Sequence, residues 1–147
     1  MKKVGNILNL FISEREKKER INKSTLSLDS KGIITDKFYD KDIQRSILIT
    51  SIESYKLLEE HNIAAEYGIL GENLLTDFNP YHLTPGIKLQ IGETVIVQIS
   101  QYCTICNHLS SINEKVPTLL KKDRGIFATV ITKGIISQGD NIFLLSD

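Results

Sequence analysis

Gly86-Ile87-Lys88-Leu89-Gln90-Ile91-Gly92-Glu93-Thr94-Val95-Ile96-Val97-Gln98-Ile99 decides the fold class. Two strand-like runs, Ile87 to Ile91 and Thr94 to Ile99, flank Gly92-Glu93. Glycine takes positive φ without steric cost, so this pair can turn the runs into a hairpin. Further on, Ile126 to Thr132 and Ile142 to Leu145 have the same texture, with turns at Lys133-Gly134 and Gly139-Asp140. Upstream, Val4 to Ile12 reads as an opening strand, Ser24 to Leu28 as a half-exposed one and Ser46 to Thr50 as a short buried one. Thr50-Ser51-Ile52-Glu53 has the spacing of a capping box, with Thr50 as the cap. Ile52, Tyr55 and Leu58 then recur at helical spacing, and Asn62 is a plausible stop. Val116 to Leu120 suits a helical turn with Pro117 at its first position. Short strands at regular intervals with one good helix predict a mainly β chain, a barrel or sandwich with a few short helices.

The chain has 147 residues, which suits one domain over 1–147. Hydrophobic residues make up 41% and charged residues 24%, a globular rather than a disordered composition. Eighteen basic residues balance eighteen acidic ones, so no net field draws in nucleic acid or an anionic membrane. No apolar run approaches the roughly 20 residues that span a bilayer. The first twelve residues are interrupted by Gly5, Asn6 and Asn9 and do not read as a signal peptide. Two cysteines, Cys103 and Cys106, are too few for a disulfide-stapled secreted scaffold, so the expected address is the cytoplasm. Ser13 to Arg20 alternates in sign and reads as a solvated turn or short surface helix.

Gln101-Tyr102-Cys103-Thr104-Ile105-Cys106-Asn107-His108 is the segment that carries candidate chemistry. Its C-x-x-C spacing suits a redox dithiol, but the βαβ context such sites need is not evident. Cys103, Cys106 and His108 could hold zinc, although no second cysteine pair completes a structural site. The third reading is a single reactive thiolate that binds a soft metal or carries sulfur, and the fourth is a pair of ordinary buried cysteines. Arg45 reads either as a surface ion pair or as an anion clamp, because a planar guanidinium matches phosphate bidentately. Gly71-Glu72-Asn73-Leu74 is a turn by composition, or a backbone loop that approaches a ligand closely.

Several landmarks fall in one order along the chain. Gly32-Ile33-Ile34-Thr35-Asp36 is followed by Arg45, Glu53 and Gly71-Glu72-Asn73-Leu74. Leu83-Thr84-Pro85-Gly86, Leu89-Gln90-Ile91-Gly92, Cys106, Arg124-Gly125-Ile126-Phe127 and Gly139-Asp140 complete the series. This series resembles the MOSC family, named after the C-terminal domain of molybdenum cofactor sulfurases, and looks most like its small free-standing bacterial members. The resemblance implies a MOSC-type β-barrel and molybdenum cofactor (molybdopterin) chemistry. It makes Cys106 the reactive position, as sulfur carrier or molybdenum ligand. Arg45, Gly71, Glu72 and Asn73 become the cofactor-binding positions, and Glu53 matches a family glutamate. The implied partners are a cysteine desulfurase or molybdenum cofactor biosynthesis proteins. Two departures stand out: Lys37-Phe38 replaces the end of a family Gly-Asp-x-His, and Ile105 replaces a proline before the cysteine. They motivate the alternative of a non-catalytic binding or adaptor domain on the same barrel. Pyridoxal phosphate, bound by a separate domain of the large sulfurases, is not expected on this chain.

Overall fold

A computed structural model describes residues 1–17, 19–103 and 108–145, with the backbone alone of His108. The strands are β1 (Lys2–Ile12), β2 (Ile21–Lys23), β3 (Thr25–Asp29), β4 (Gly32–Ile33), β5 (Ile47–Ser51) and β6 (Leu74–Thr76). They continue with β7 (Lys88–Ile91), β8 (Val95–Tyr102), β9 (Ile126–Thr132), β10 (Gly134–Ser137) and β11 (Asn141–Leu144). Three short helices, α1 (Ile52–Glu60), α2 (His108–Ile112) and α3 (Val116–Leu119), and a 3-10 turn at Ile43–Arg45 complete the described residues.

The expected hairpin forms: β7 and β8 pair antiparallel with Leu89 opposite Val97 and Ile91 opposite Val95. Gly92 turns it at φ +67°, the left-handed conformation that favours glycine. Along β8, Val95, Val97 and Ile99 are buried and the residues between them are less so, the period-2 signature of a strand with one face on a core. From β8 the ladder runs through β9, β5 and β6 to β1. β1 pairs with β11, which returns to β7, so seven strands close a barrel. β2 extends the outer end of β1, and β10, β3 and β4 make a separate small sheet. The parallel pair β5 and β6, with Ile49 opposite Leu74, is joined by the crossover that contains α1.

Ile7, Leu10, Ile49, Leu74, Leu89, Val97 and Ile126 belong to the main core, to which strands all round the barrel contribute. Fully burying each such side chain contributes about 1.5–3 kcal/mol. A second core packs the helices on the barrel wall: Tyr55 and Leu58 of α1 meet Phe11, Leu70, Leu109 and Val116. The helical face expected of α1 is therefore the face it buries. Its cap differs from expectation. Ser51, not Thr50, accepts from the Glu53 amide at 3.1 Å, because the Thr50 hydroxyl donates to the Arg124 carbonyl instead. The Glu53 carboxylate accepts from Asn79 at 2.6 Å rather than reaching back to the cap. Asn62 ends the helix in the left-handed region at φ +58°, which its short polar side chain tolerates.

Candidate functional site

One end of the barrel opens into a cavity of about 830 Å³, within the range of small-molecule sites. Strand ends and their loops build it. Leu48 on β5, Phe127 on β9 and Cys103 just past β8 pack together as an apolar shelf in its wall. Arg45 leaves the 3-10 turn and lays its guanidinium over the Phe127 ring, 4.7 Å from the centroid, a cation–π contact that leaves its N–H groups available to an anion. Lys37, Phe38 and Lys41 come from the loop after β4, and Tyr67, Gly68, Ile69 and Gly71 from the loop after α1. The loop after β4 turns at Thr35, held at φ +80°, an outlier for a β-branched residue. Such strain persists where surrounding contacts hold it. Here Asp36 supplies them by accepting from the Ser13 amide at 2.8 Å and the Phe38 amide at 3.1 Å.

Arg20 and Arg124 bring charge deeper. Arg124, 6% exposed, precedes β9 and donates to the Leu70 carbonyl at 3.2 Å. Arg20 donates to the Ser13 hydroxyl and, at 2.6 Å, to the Glu72 carbonyl. Burial pulls its pKa down while Asp36 and Glu72 oppose that; a guanidinium stays charged regardless. Among the described residues, five cationic side chains thus line the cavity with three carboxylates, Glu19, Asp42 and Glu66. Among the described residues the one side-chain ion pair is Lys17 with Glu14, on the surface, so no carboxylate pairs directly with Lys37, Lys41 or Arg45.

Of the positions that the family resemblance makes cofactor-binding, Arg45, Gly71 and Asn73 line the cavity. Glu72 does not. Its side chain is fully buried behind the loop, where it accepts from the Tyr55 hydroxyl and the Gly68 amide. Asn73 bridges strands as well: its amide oxygen accepts from Leu48 N at 3.0 Å and its amide nitrogen donates to Phe11 O at 3.2 Å. Glu53 lies outside the lining, on α1. Cys106 lies outside the described residues, as does the side chain of His108, so the dithiol and zinc readings both involve atoms not described. Cys103, three positions earlier, is on the cavity wall. Among the described residues no group of three His, Cys, Asp or Glu could hold a metal ion, and no helix is long and apolar enough to cross a membrane. Sequence reasoning missed Arg20, Lys37, Phe38 and Tyr67. Arg20 sits in a run whose alternating signs look solvated, and nothing local marks it. The departure at Lys37-Phe38 was visible as a motif change, but its meaning was not.

The MOSC domain model matches residues 26–143. No curated protein matches the sequence. Among solved structures the chain is similar to the YuaD protein from Bacillus subtilis, at TM-score 0.82 and 16% identity over 94% of this chain and 93% of that one. It is also similar to YiiM from Geobacillus stearothermophilus, at TM-score 0.74 and 15% identity over 97% and 75%. YiiM from Escherichia coli follows at TM-score 0.70 and 20% identity over 100% and 71%. At these identities the likeness shows the fold. The family-model match spans most of the chain and agrees with the barrel, so the chain belongs to the MOSC domain family.

Proposed function

We propose that the cavity binds an anionic cofactor of the molybdopterin class and that Cys106 is the thiolate that carries sulfur or ligates the metal beside it. The observation that carries this reading is the convergence of Arg20, Lys37, Lys41, Arg45 and Arg124 on one cavity that also holds Cys103. The residues present fit such a group. A guanidinium on an aromatic ring and two lysines that form no ion pair among the described residues suit a phosphate. The Leu48–Cys103–Phe127 shelf offers an apolar surface to a flat ring system. Bound there, the cofactor would supply a sulfur-ligated, redox-active metal. The chain's own residues would bind and orient it: Arg45 and the lysines hold the anionic end, and the glycines at 68 and 71 keep the loop free of bulk. A thiolate beside cationic side chains is favoured in its ionised form, which both sulfur transfer and metal ligation require.

Protein purified from cells that make the cofactor provides the test, by intact mass and metal analysis. Wild-type chain is expected to carry a pterin or a persulfide mass increment. Cys106→Ser should abolish the loading and Cys103→Ser should leave most of it. Arg45→Ala should reduce retention about tenfold, the loss of roughly 1.5 kcal/mol expected for one charge-assisted hydrogen bond. Loading that survives Cys106→Ser, or is lost in Cys103→Ser alone, overturns the assignment.

A further inference from the structure

Glu72 is 0% exposed, yet its carboxyl is engaged on one side only. The Tyr55 hydroxyl at 2.6 Å and the Gly68 amide at 3.0 Å both meet Oε2. Oε1 has no hydrogen-bond partner among the described residues. An ionised carboxylate is acceptor-only on both oxygens, and burying one without donors is costly. Two donors on one oxygen and none on the other is the pattern of a neutral acid, with its carbonyl at Oε2 and its proton on Oε1. Burial accordingly pushes the Glu72 carboxyl up, against the opposing pull of Tyr55, Gly68 and Arg20.

Arg20 gives this a consequence. It lines the cavity, its terminal nitrogens are taken by Ser13 and by the Glu72 carbonyl, and its Nε has no partner among the described residues. The carboxyls whose charge acts on it are Asp36 and Glu72. Both Asp36 oxygens are already occupied by the Ser13 and Phe38 amides. The other titratable groups that face Glu72 are Tyr55 of α1 and Tyr81, beyond β6, both pushed up by burial.

We propose that Glu72, acting through Arg20, makes anion binding in the cavity proton-coupled. The proposal rests on the anion-binding reading of the cavity. With Glu72 neutral, Asp36 alone of the two carboxyls opposes Arg20, and more of the Arg20 charge is left to the cavity, where it attracts an oxyanion. When Oε1 releases its proton to solvent, the carboxylate takes up the Arg20 charge and the anion is held less well. By linkage, an anion settling beside Arg20 draws one proton from solvent onto Oε1. Affinity therefore rises as pH falls. Glu72 is a positioning residue here, since it sets a charge without touching the ligand.

Sulfate is a suitable probe because its own charge is constant through the neutral range. Calorimetric titration of the chain runs from about pH 5.5 to about pH 8.5 in a Cys103→Ser, Cys106→Ser background, so that neither thiol titrates; the rim carboxyls Glu19, Asp42 and Glu66 remain common to all variants. Sulfate affinity is expected to fall about tenfold across that range, the equivalent of one unit of pKa change on binding. Glu72→Gln, which mimics the neutral acid, should keep the low-pH affinity throughout, and Arg20→Gln should bind weakly and without slope. Infrared difference spectra of the unsubstituted chain give a second readout: sulfate should increase the protonated-carboxyl band near neutral pH. A Glu72→Gln profile as steep as that of the parent, a flat parent profile, or no change in the carboxyl band overturns the proposal. Flat sulfate binding with normal cofactor loading defeats the coupling alone, and coupled binding without loading defeats the cofactor reading alone.

Discussion

Asn73 does at one position what a strand would need several residues to do. Its backbone N–H donates to the Leu48 carbonyl and its carbonyl accepts from the Phe11 amide, at 2.9 and 2.8 Å. Its side chain accepts from Leu48 N and donates to Phe11 O. Four hydrogen bonds thus tie β5 to β1 immediately before β6 begins. Asn73→Ala is expected to leave the Leu48 amide without its acceptor and to cost about 1–3 kcal/mol, read as a lower denaturation midpoint at unchanged slope. Asn73 stands out in the sequence because it follows Gly71-Glu72. Its double role was not, because the partners lie 25 and 62 residues away. The inward turn of Glu72 was hidden for the same reason. A carboxylate in a glycine turn reads as exposed until tertiary packing brings Tyr55 over it.

At the scale of elements, local pattern sufficed where one face of a strand or helix meets a core. The β7–β8 hairpin, β9 and the buried face of α1 all follow from spacing. β2, β4 and β6 are three, two and three residues long, too short for a period to show, and β6 hides behind a sequence that reads as a turn. The choice of Ser51 over Thr50 as cap is settled by β9. The Thr50 side chain faces the Arg124 carbonyl, and Gly125 lies close against the same strand. A Cβ at Gly125 would stand 2.8 Å from Leu48 Cδ1 and 3.1 Å from the Ile49 carbonyl, so no side chain fits between β5 and the start of β9. Gly125→Ala should therefore destabilise by about 1–3 kcal/mol through overpacking, measured by thermal or denaturant unfolding. Displacement of Arg124 should also weaken sulfate binding, while Cys103→Ser has little effect on unfolding.

For the whole molecule, a net charge of zero conceals a cavity where cations collect. Composition excluded a general polyanion surface but could not locate a concave one, because the five cations come from four separate stretches between residues 20 and 124. The same non-local construction governs how the barrel closes. β1 pairs with β11, Lys2 opposite Leu144 and Asn6 opposite Asn141, so the earliest strand made waits for the last. On a ribosome, β1 and β7 keep open hydrogen-bonding edges until residues near 144 leave the exit tunnel, and such edges invite pairing with other chains. A chain ended at Gln138 should accordingly aggregate or be retained by chaperones, as read by the soluble fraction on expression. Folding to the closed barrel should have a rate limited by meeting of β1 and β11, the two strands most distant in the sequence.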